Sequence, residues 1–146
     1  MHVDIETRSA EPEDLPWYVG SATFASRRFC DLVRELLQPE DVQLLPSYVT
    51  IDGEEVLESR DSYEIVNWLR QVDCLDKSLA GFHYRPSFPN LPMVEDDVVD
   101  LSIVPVDAMA FRMKYCGSLP IVRNDFVRAL RNHGITGWRL MNLLTS

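Results

Sequence analysis

Asp73 and Asp76 are the residues whose types and spacing come closest to a catalytic pair in this chain. Two carboxylates can act as general acid and general base when their surroundings push their pKa values apart. Together with His83 they would form the site of a small hydrolase or modifying enzyme. The structural alternative is that one aspartate caps the turn at Lys77-Ser78 and the other pairs with Arg112. We favour the structural alternative, because a half-buried charge without a partner is costly.

Histidine and cysteine are too scattered to predict a metal centre or a thiol enzyme. The chain has three of each, and no two cysteines have the C-x-x-C spacing of zinc ligands. It also lacks a glycine-rich phosphate loop and a G-x-S-x-G nucleophile elbow. Cys74 and His83 would suit a Cys–His nucleophile, but a buried structural cysteine is favoured, since no electropositive, accessible setting surrounds Cys74. The sequence therefore predicts no metal and no organic cofactor.

Length and charge indicate one acidic globular domain that covers residues 1–146. The chain has 146 residues, 46% of them hydrophobic, and a formal net charge of −9. No apolar run is long enough to span a membrane, and the N-terminus lacks the apolar stretch of a signal peptide. Unpaired cysteines suit a reducing compartment, so a cytoplasmic protein is expected. The acidity argues against a nucleic-acid or membrane partner and permits a cationic one, although solubility alone also explains it.

The clearest architecture runs from Phe111 to Leu143, as strand, turn, short strand, helix, turn and strand. Asn124 is the predicted N-cap, since its side-chain oxygen can accept a hydrogen bond from a first-turn N–H. Phe126 begins the apolar face of this helix. Gly134 is the predicted C′ residue, because glycine takes the left-handed conformation without a steric penalty. A final strand is predicted after Gly137, where bulky apolar and polar residues alternate.

The first part of the chain predicts a second helix followed by its own strand. Residues 1–20 are acidic, which suggests a partly irregular segment. Ser26 is the candidate N-cap of a helix whose apolar stripe starts at Phe29, and residues 42–50 follow as a strand. A shift along the chain superimposes Phe29 on Phe126. An internal helix–strand repeat and a coincidence explain this match equally well.

Two periodicities compete in residues 62–78. Helical spacing of the apolar residues slightly outweighs the strand preference of its β-branched and aromatic residues. Residues 98–104 and 110–115 are predicted strands. Two helices among many strands in mixed order predict an α+β fold, a single domain with mostly antiparallel sheets.

The most partner-ready stretch joins a proline-bearing loop, residues 85–93, to an acidic turn. Tyr84 and Phe88 would serve as aromatic anchors, since aromatic side chains carry much interface energy. The acidic turn would steer a cationic partner, and it consists of Glu95, Asp96 and Asp97. The alternative is that the aromatic side chains pack the loop onto the sheet. A second acidic set, around the predicted hairpin turn at Asp52-Gly53, is the reserve surface.

Several of these segments resemble an immunity-protein signature. Tyr63, Asn67 and the run Val72-Asp73-Cys74-Leu75-Asp76-Lys77-Ser78 resemble a pattern of the Imm-eleven family of bacterial polymorphic-toxin immunity proteins, formerly a domain of unknown function. The C-terminal signature of that family is similar to Phe111-Arg112, Ile121-Val122, Leu130 and Gly134-Ile135-Thr136-Gly137. The resemblance covers most of residues 24–144, and no counterpart is assigned to residues 1–20. Arg123 departs from the small capping residue that is usual in the family.

The resemblance implies a small cytosolic antitoxin that protects its producer by binding the toxin encoded beside it. The expected partner is therefore a cognate protein toxin with a basic surface, and no catalytic residues transfer from the family. The resemblance also implies a strand in residues 63–72 and structural roles for the signature positions. The residues expected in structural roles are Asp73, Asp76, Arg112, Phe126, Gly134 and Gly137. The enzyme that uses Asp73, Asp76 and His83 stays the alternative, and a scaffold module is a weaker third.

Overall fold

The computed structural model describes residues 2–5, 13–15, 17–19, 22–51, 54–55, 63–115 and 119–146. Within these ranges the helices are α1 (Arg27–Leu36), α2 (Asn124–Asn132) and a short 3-10 helix, Leu101–Ile103. None of them is long and apolar enough to cross a membrane. The strands are β1 (His2–Ile5), β2 (Trp17–Val19), β3 (Ala22–Ser26), β4 (Val42–Pro46), β5 (Tyr48–Ile51), β6 (Glu54–Glu55), β7 (Tyr63–Trp68), β8 (Gln71–Val72), β9 (His83–Arg85), β10 (Phe88–Met93), β11 (Val98–Val99), β12 (Ala110–Met113), β13 (Ile121–Val122) and β14 (Leu144–Thr145).

The strand β7 lies inside the four-stranded sheet, whose order is β2-β3-β7-β4 with every neighbouring pair antiparallel. Phe24 on one side and Leu45 on the other both lie opposite Ile65 of β7. The helix favoured by apolar spacing in residues 62–78 is therefore wrong. The reason is tertiary: β7 is paired on both sides, and its side chains are buried on both faces. The strand implied by the family resemblance is confirmed.

Smaller sheets account for the other described strands. β1 pairs with β5 in parallel, and β5 pairs with β6 antiparallel. β12 pairs antiparallel with β13 and parallel with β8. β9 and β10 form an antiparallel hairpin, and β11 and β14 pair in parallel. The predicted α+β fold with mostly antiparallel pairing is confirmed, while the predicted turn at Asp52-Gly53 lies outside the described residues.

Both helices bury their apolar faces in one core against β7. Phe29 of α1 and Phe126 of α2 are almost fully buried and meet edge to face, with ring centroids 6.5 Å apart. Trp68 of β7 approaches Phe126 in the same geometry, at 6.4 Å. A second buried cluster joins β8, β11 and β12, and it includes Cys74 and Phe111. The apolar stripes that predict the two helices are therefore the faces that pack.

The described part of residues 1–20 contains two strands. β1 and β2 lie in this segment and pair with β5 and β3. Asp14 is only 7% exposed, although it is an aspartate. It accepts hydrogen bonds from Ser26 Oγ at 2.6 Å, Arg28 Nη2 at 2.5 Å and Thr136 N at 2.9 Å. Because these donors lie at the start of α1 and beyond the end of α2, Asp14 ties the N-terminal segment to both helices.

The start of α2 differs from the prediction, and its end agrees with it. Arg123 is the N-cap instead of Asn124, because the backbone of Arg123 is extended and its carbonyl already accepts the first helical N–H. No side chain completes this cap. At the other end, Gly134 has a φ of 61°, and Ile135 N–H donates to Leu130 O at 3.0 Å. These contacts form a Schellman motif, so the predicted C′ position is confirmed.

Two predicted strands are mostly absent from the described structure. In residues 98–104 only β11 forms a strand, because the Asp100 carboxylate accepts from Ser102 N–H at 2.9 Å and turns the chain into the 3-10 helix. Residues 138–143 alternate in sequence but pair with no described strand. Alternation without a neighbouring edge leaves the backbone unpaired, so it does not produce a strand. The strand that an internal helix–strand repeat would place directly after the second helix is therefore not found in residues 138–143, although a strand precedes each helix, β3 before α1 and β13 before α2.

Candidate partner-binding surface

The hairpin β9–β10 presents the two predicted aromatic anchors to solvent. Tyr84 is 53% exposed and Phe88 is 58% exposed. Phe88 lies opposite Arg85, and Pro92 lies opposite Tyr84, with a bulge between the two pairs. β10 is an edge strand, where proline is tolerated because one side of the strand makes no ladder hydrogen bonds. The prolines of residues 85–93 therefore stiffen an exposed edge, as predicted for an ordered extended segment.

Three aromatic rings near the base of the hairpin contact one another edge to face, with Phe82 in the middle. Phe82 meets Tyr84 edge to face, with centroids 5.4 Å apart, and meets Tyr115 at 5.6 Å. Lys77 Nζ lies 5.3 Å from the Phe82 centroid and 5.0 Å from that of Tyr115. Lys114 Nζ lies 5.2 Å from the Tyr115 centroid. We call this surface the aromatic face, and it consists of Lys77, Phe82, Tyr84, Phe88, Lys114 and Tyr115.

Tyr115 occupies the left-handed region, with a φ of 66°. A residue with a Cβ rarely adopts this conformation, and such positions cluster at functional sites. The ring is exposed, and it sits between two lysines on the aromatic face. Sequence reasoning missed this residue, because Tyr115 follows β12, whereas Phe82 and Lys77, which it contacts, lie far earlier in the chain. Its membership depends on the pairing of segments that are distant in sequence.

The acidic turn is anchored beside the aromatic face. The backbone N–H groups of Glu95 and Asp96 both donate to Ala80 O, at 3.0 Å and 3.3 Å. The Glu95 side chain also closes over Gly81, where an added Cβ would lie 2.7 Å from Glu95 Oε2. The residue after Gly81 is Phe82, so the Glu95 carboxylate adjoins the aromatic face. Asp97 instead contributes to the lining of a separate groove near α2.

Asp73 forms ion pairs with lysines, and the expected pair with Arg112 is wrong. Its carboxylate lies 3.8 Å from Lys77 Nζ and 3.9 Å from Lys114 Nζ. The parallel register of β8 and β12 explains the exchange, because it sets Arg112 beside Gln71 and brings Lys114 level with Asp73. Arg112 is half-buried, and its Nε has no hydrogen-bond partner among the described residues. Charges of both signs therefore border the aromatic face.

Asp76 caps the turn that follows it. Its Oδ1 accepts from Ser78 N–H at 3.0 Å, from Ser78 Oγ at 2.5 Å and from Leu79 N–H at 3.3 Å. Hydrogen bonds from Ser78 and from the Ser146 side chain hold the pKa of Asp76 below its usual range. A carboxyl group with a lowered pKa is ionised at neutral pH, so it has no proton to donate as a general acid. This environment favours the structural role.

His83 and the buried cysteines also lack the surroundings that a catalytic site requires. His83 is exposed, and its Nδ1 lies 2.8 Å from Gly81 O. Burial raises the pKa of the Cys74 thiol, which suppresses the thiolate that a nucleophile requires. Burial likewise raises the pKa of Cys30 to about 12. Among the residues that the structure describes, no cluster of three His, Cys, Asp or Glu residues is placed to hold a metal ion.

Comparison with known families gives a match over almost the whole chain. Residues 1–144 match the immunity protein family Imm11. The chain belongs to this family. The match includes residues 1–20, to which the sequence resemblance assigned no counterpart. A search of curated proteins finds no matching relative for this Imm11 member.

Proposed function

We propose that this Imm11 protein binds and neutralises a cognate protein toxin and performs no chemistry of its own. Membership of an immunity protein family supports the general role. The aromatic face is the observation that carries the binding mode, because it presents exposed rings on a stiffened edge. Rings that are already stacked and an edge that is already ordered lose little entropy on binding. The local contacts of Asp76 and Cys74 agree with a role that does not include catalysis.

The proposed toxin presents a basic surface to the acidic turn. The formal net charge of −9 supports this proposal, as do the exposed residues Glu95, Asp96 and Asp97, of which Glu95 adjoins the aromatic face. Complementary charges speed association more than they increase affinity. We place the complex in the cytoplasm of the producing cell, without nucleic acid or membrane as partners. The acidic balance supports this restriction, since both of those surfaces are anionic.

The direct test is co-expression with the product of the adjacent reading frame, followed by co-purification and measurement of cell survival. Tyr84→Ala and Phe88→Ala should each weaken the complex by about thirtyfold, as for the loss of a hot-spot side chain. Val106→Ala is the matched control, because Val106 is an exposed apolar residue in a different loop. A complex that forms with unchanged affinity in both aromatic variants would move the interface away from the aromatic face.

Charge reversal tests the steering component separately. Replacement of Glu95, Asp96 and Asp97 by lysine should slow association and remove most of its salt dependence, while the thermal midpoint stays the same. Reversal of the exposed Glu35 and Glu40 near the end of α1 is the control for net charge, and it is compared with the double reversal of Glu95 and Asp96. If the association rate at low salt does not change, the reserve acidic set at the β5–β6 hairpin becomes the candidate surface.

A further inference from the structure

A large groove lies along α2 and the C-terminal segment. Of the residues that the sequence assigns to toxin binding, only Asp97 lines it. The groove encloses about 1040 Å³. Its deep lining includes the buried rings of Phe29, Phe111 and Phe126, so it reaches the core. Its outer lining includes the exposed side chains of Leu101, Leu119, Leu140, Met141 and Leu143. We call this feature the C-terminal groove.

The outer wall of the C-terminal groove carries apolar side chains on a backbone segment that pairs with no described strand. Residues 138–143 make no strand pairing with a described residue, and Met141 is 71% exposed. The segment is still fixed at its start, because Trp138 Nε1 donates to Ile135 O at 2.7 Å and Arg131 lies over the Trp138 ring. Contiguous exposed apolar side chains beside an apolar cavity mark a site of interaction. The start of this segment is therefore held in place by Trp138, while its apolar side chains remain exposed to solvent.

The charge on this surface opposes that of the whole protein. Residues 119–146 contain four arginines and one aspartate, a formal +3 in a chain whose total is −9. Arg123, Arg128 and Arg139 line the groove, together with two acidic residues, Asp97 and Asp125. Asp125 neutralises Arg123 at 3.2 Å, whereas Arg128 and Arg139 are exposed and form no ion pair with a described residue. Two positive side chains without internal partners thus border the apolar lining.

We propose that the C-terminal groove binds an acidic, amphipathic segment of a protein partner. The apolar face of such a segment would cover the groove lining, and its carboxylates would meet Arg128 and Arg139. Grooves that receive amphipathic helices bind them through spaced apolar anchors in the same way. This partner chemistry is opposite to that proposed for the aromatic face. The inference is therefore independent of which surface binds the toxin.

Charge complementarity separates this occupant from the alternatives. An anionic membrane would meet the excess negative charge of the protein as a whole, and long-range repulsion would oppose contact. A second copy of this chain is the nearest competitor, because the rest of the sequence is strongly acidic. A separate peptide-like segment satisfies both arginines and the apolar lining without requiring two grooves to meet.

The experiment uses the full chain and two synthetic peptides. One peptide carries leucines on one helical face and glutamates on the other, and its twin has lysines in place of the glutamates. Trp138 lines the groove, so its fluorescence reports occupancy, and Trp138→Phe identifies the signal. The acidic peptide should bind at least about tenfold more tightly than its twin, and the preference should weaken with salt.

Reversal of the two unpaired arginines completes the test. In Arg128→Glu with Arg139→Glu the order of the two peptides should invert, whereas Arg85→Glu on the exposed hairpin β9–β10 should change neither affinity by more than about twofold. Equal binding of both peptides, no binding of either, or an order unaffected by the reversal would overturn the proposal. A concentration-dependent dimer that Met141→Asp abolishes would assign the groove to a second copy and overturn it as well. Loss of toxin binding in the Tyr84 variant leaves this result unaffected.

Discussion

α1 and α2 share one core, yet their ends are stabilised in opposite ways. At the start of α1, Ser26 Oγ accepts from Phe29 N–H at 3.2 Å. The start of α2 has no side chain at the cap position, and instead the Asp125 carboxylate in its first turn accepts from Phe126 N–H at 3.1 Å. The end of α2 is closed by the Schellman motif at Gly134, whereas α1 ends in an extended residue, Leu37. An amphipathic pattern therefore specifies the buried face of a helix, and the contacts at its ends come from elsewhere.

Asp14 links the strong end of each helix. Its carboxylate binds Arg28 in the first turn of α1 and the backbone of Thr136 just beyond α2. The same guanidinium donates to Gly134 O at 2.7 Å. One residue of the N-terminal segment, Asp14, therefore stabilises the start of α1 and the segment that follows the end of α2.

The largest expected effects test whether the two helices contribute equally to the core. Phe126→Ala and Phe29→Ala should each lower the free energy of unfolding by about 3–5 kcal/mol, because each removes a buried ring and leaves a cavity. The double variant should show a coupling of about 0.5–1.5 kcal/mol from the edge-to-face contact. Denaturant unfolding of the four proteins measures this. A cost below about 1 kcal/mol at either position would show that its helix face is not buried.

Removal of the Asp14 carboxylate tests the link between the helices. Asp14→Asn should cost about 2–3 kcal/mol, since it removes the buried charge that pairs with Arg28 and replaces one accepting oxygen by an amide nitrogen that cannot accept a hydrogen bond. Burial alone would raise the pKa of Asp14, but hydrogen bonds from Arg28, Ser26 and Thr136 outweigh it and hold the pKa below its usual range.

A carboxyl group with a lowered folded pKa stabilises the protein above its unfolded pKa, and this contribution disappears as pH falls through the folded value. The stability gap between the protein and Asp14→Asn should therefore be constant near neutral pH and shrink below a pH of about 4. Unfolding curves over that range measure the gap. A gap that persists unchanged at the lowest pH would mean that the carboxylate charge is not the source of stability.

Two glycines after α2 separate conformational strain from steric contact. Both have positive φ, 61° at Gly134 and 77° at Gly137. A Cβ on Gly134 would meet no atom within 4 Å, whereas on Gly137 it would lie 2.7 Å from Leu15 O. Gly134→Ala should cost about 1 kcal/mol, the strain of the left-handed conformation alone, and Gly137→Ala should cost more. Equal melting midpoints for the two variants would show that the N-terminal segment around Leu15 moves aside to accept the added Cβ at residue 137.

The smallest effects test the two helix starts directly. Ser26→Ala should cost about 1 kcal/mol through loss of the N-cap together with the hydrogen bond that Ser26 Oγ donates to Asp14. Arg123→Ala should stay within about 0.5 kcal/mol, because its side chain contributes no cap and its ion pair with Asp125 is partly exposed. Thermal midpoints of both variants are the measurement. A larger loss at Arg123 than at Ser26 would reverse the comparison between α1 and α2.

The candidate site was predictable only where its members are neighbours in sequence. Tyr84 and Phe88 stand out as aromatic residues beside prolines, and both are exposed on one hairpin. Tyr115 and the lysines of the aromatic face carry no such signal, because their positions follow from the pairing of β8 with β12. The Asp73–Arg112 pair fails for the same reason, since a parallel register chooses the neighbours of Asp73.

The sequence by itself determined both helices, the buried faces that begin at Phe29 and Phe126, and the left-handed stop at Gly134. These features depend on interactions within a few residues, where spacing and backbone preference act directly. Only the tertiary structure decided that β7 is a strand, that residues 138–143 stay unpaired, and that Asp14 joins both helices. Strand pairing and buried ion pairs depend on partners far along the chain. Local periodicity does not indicate which distant strand edge or hydrogen-bond donor becomes the partner.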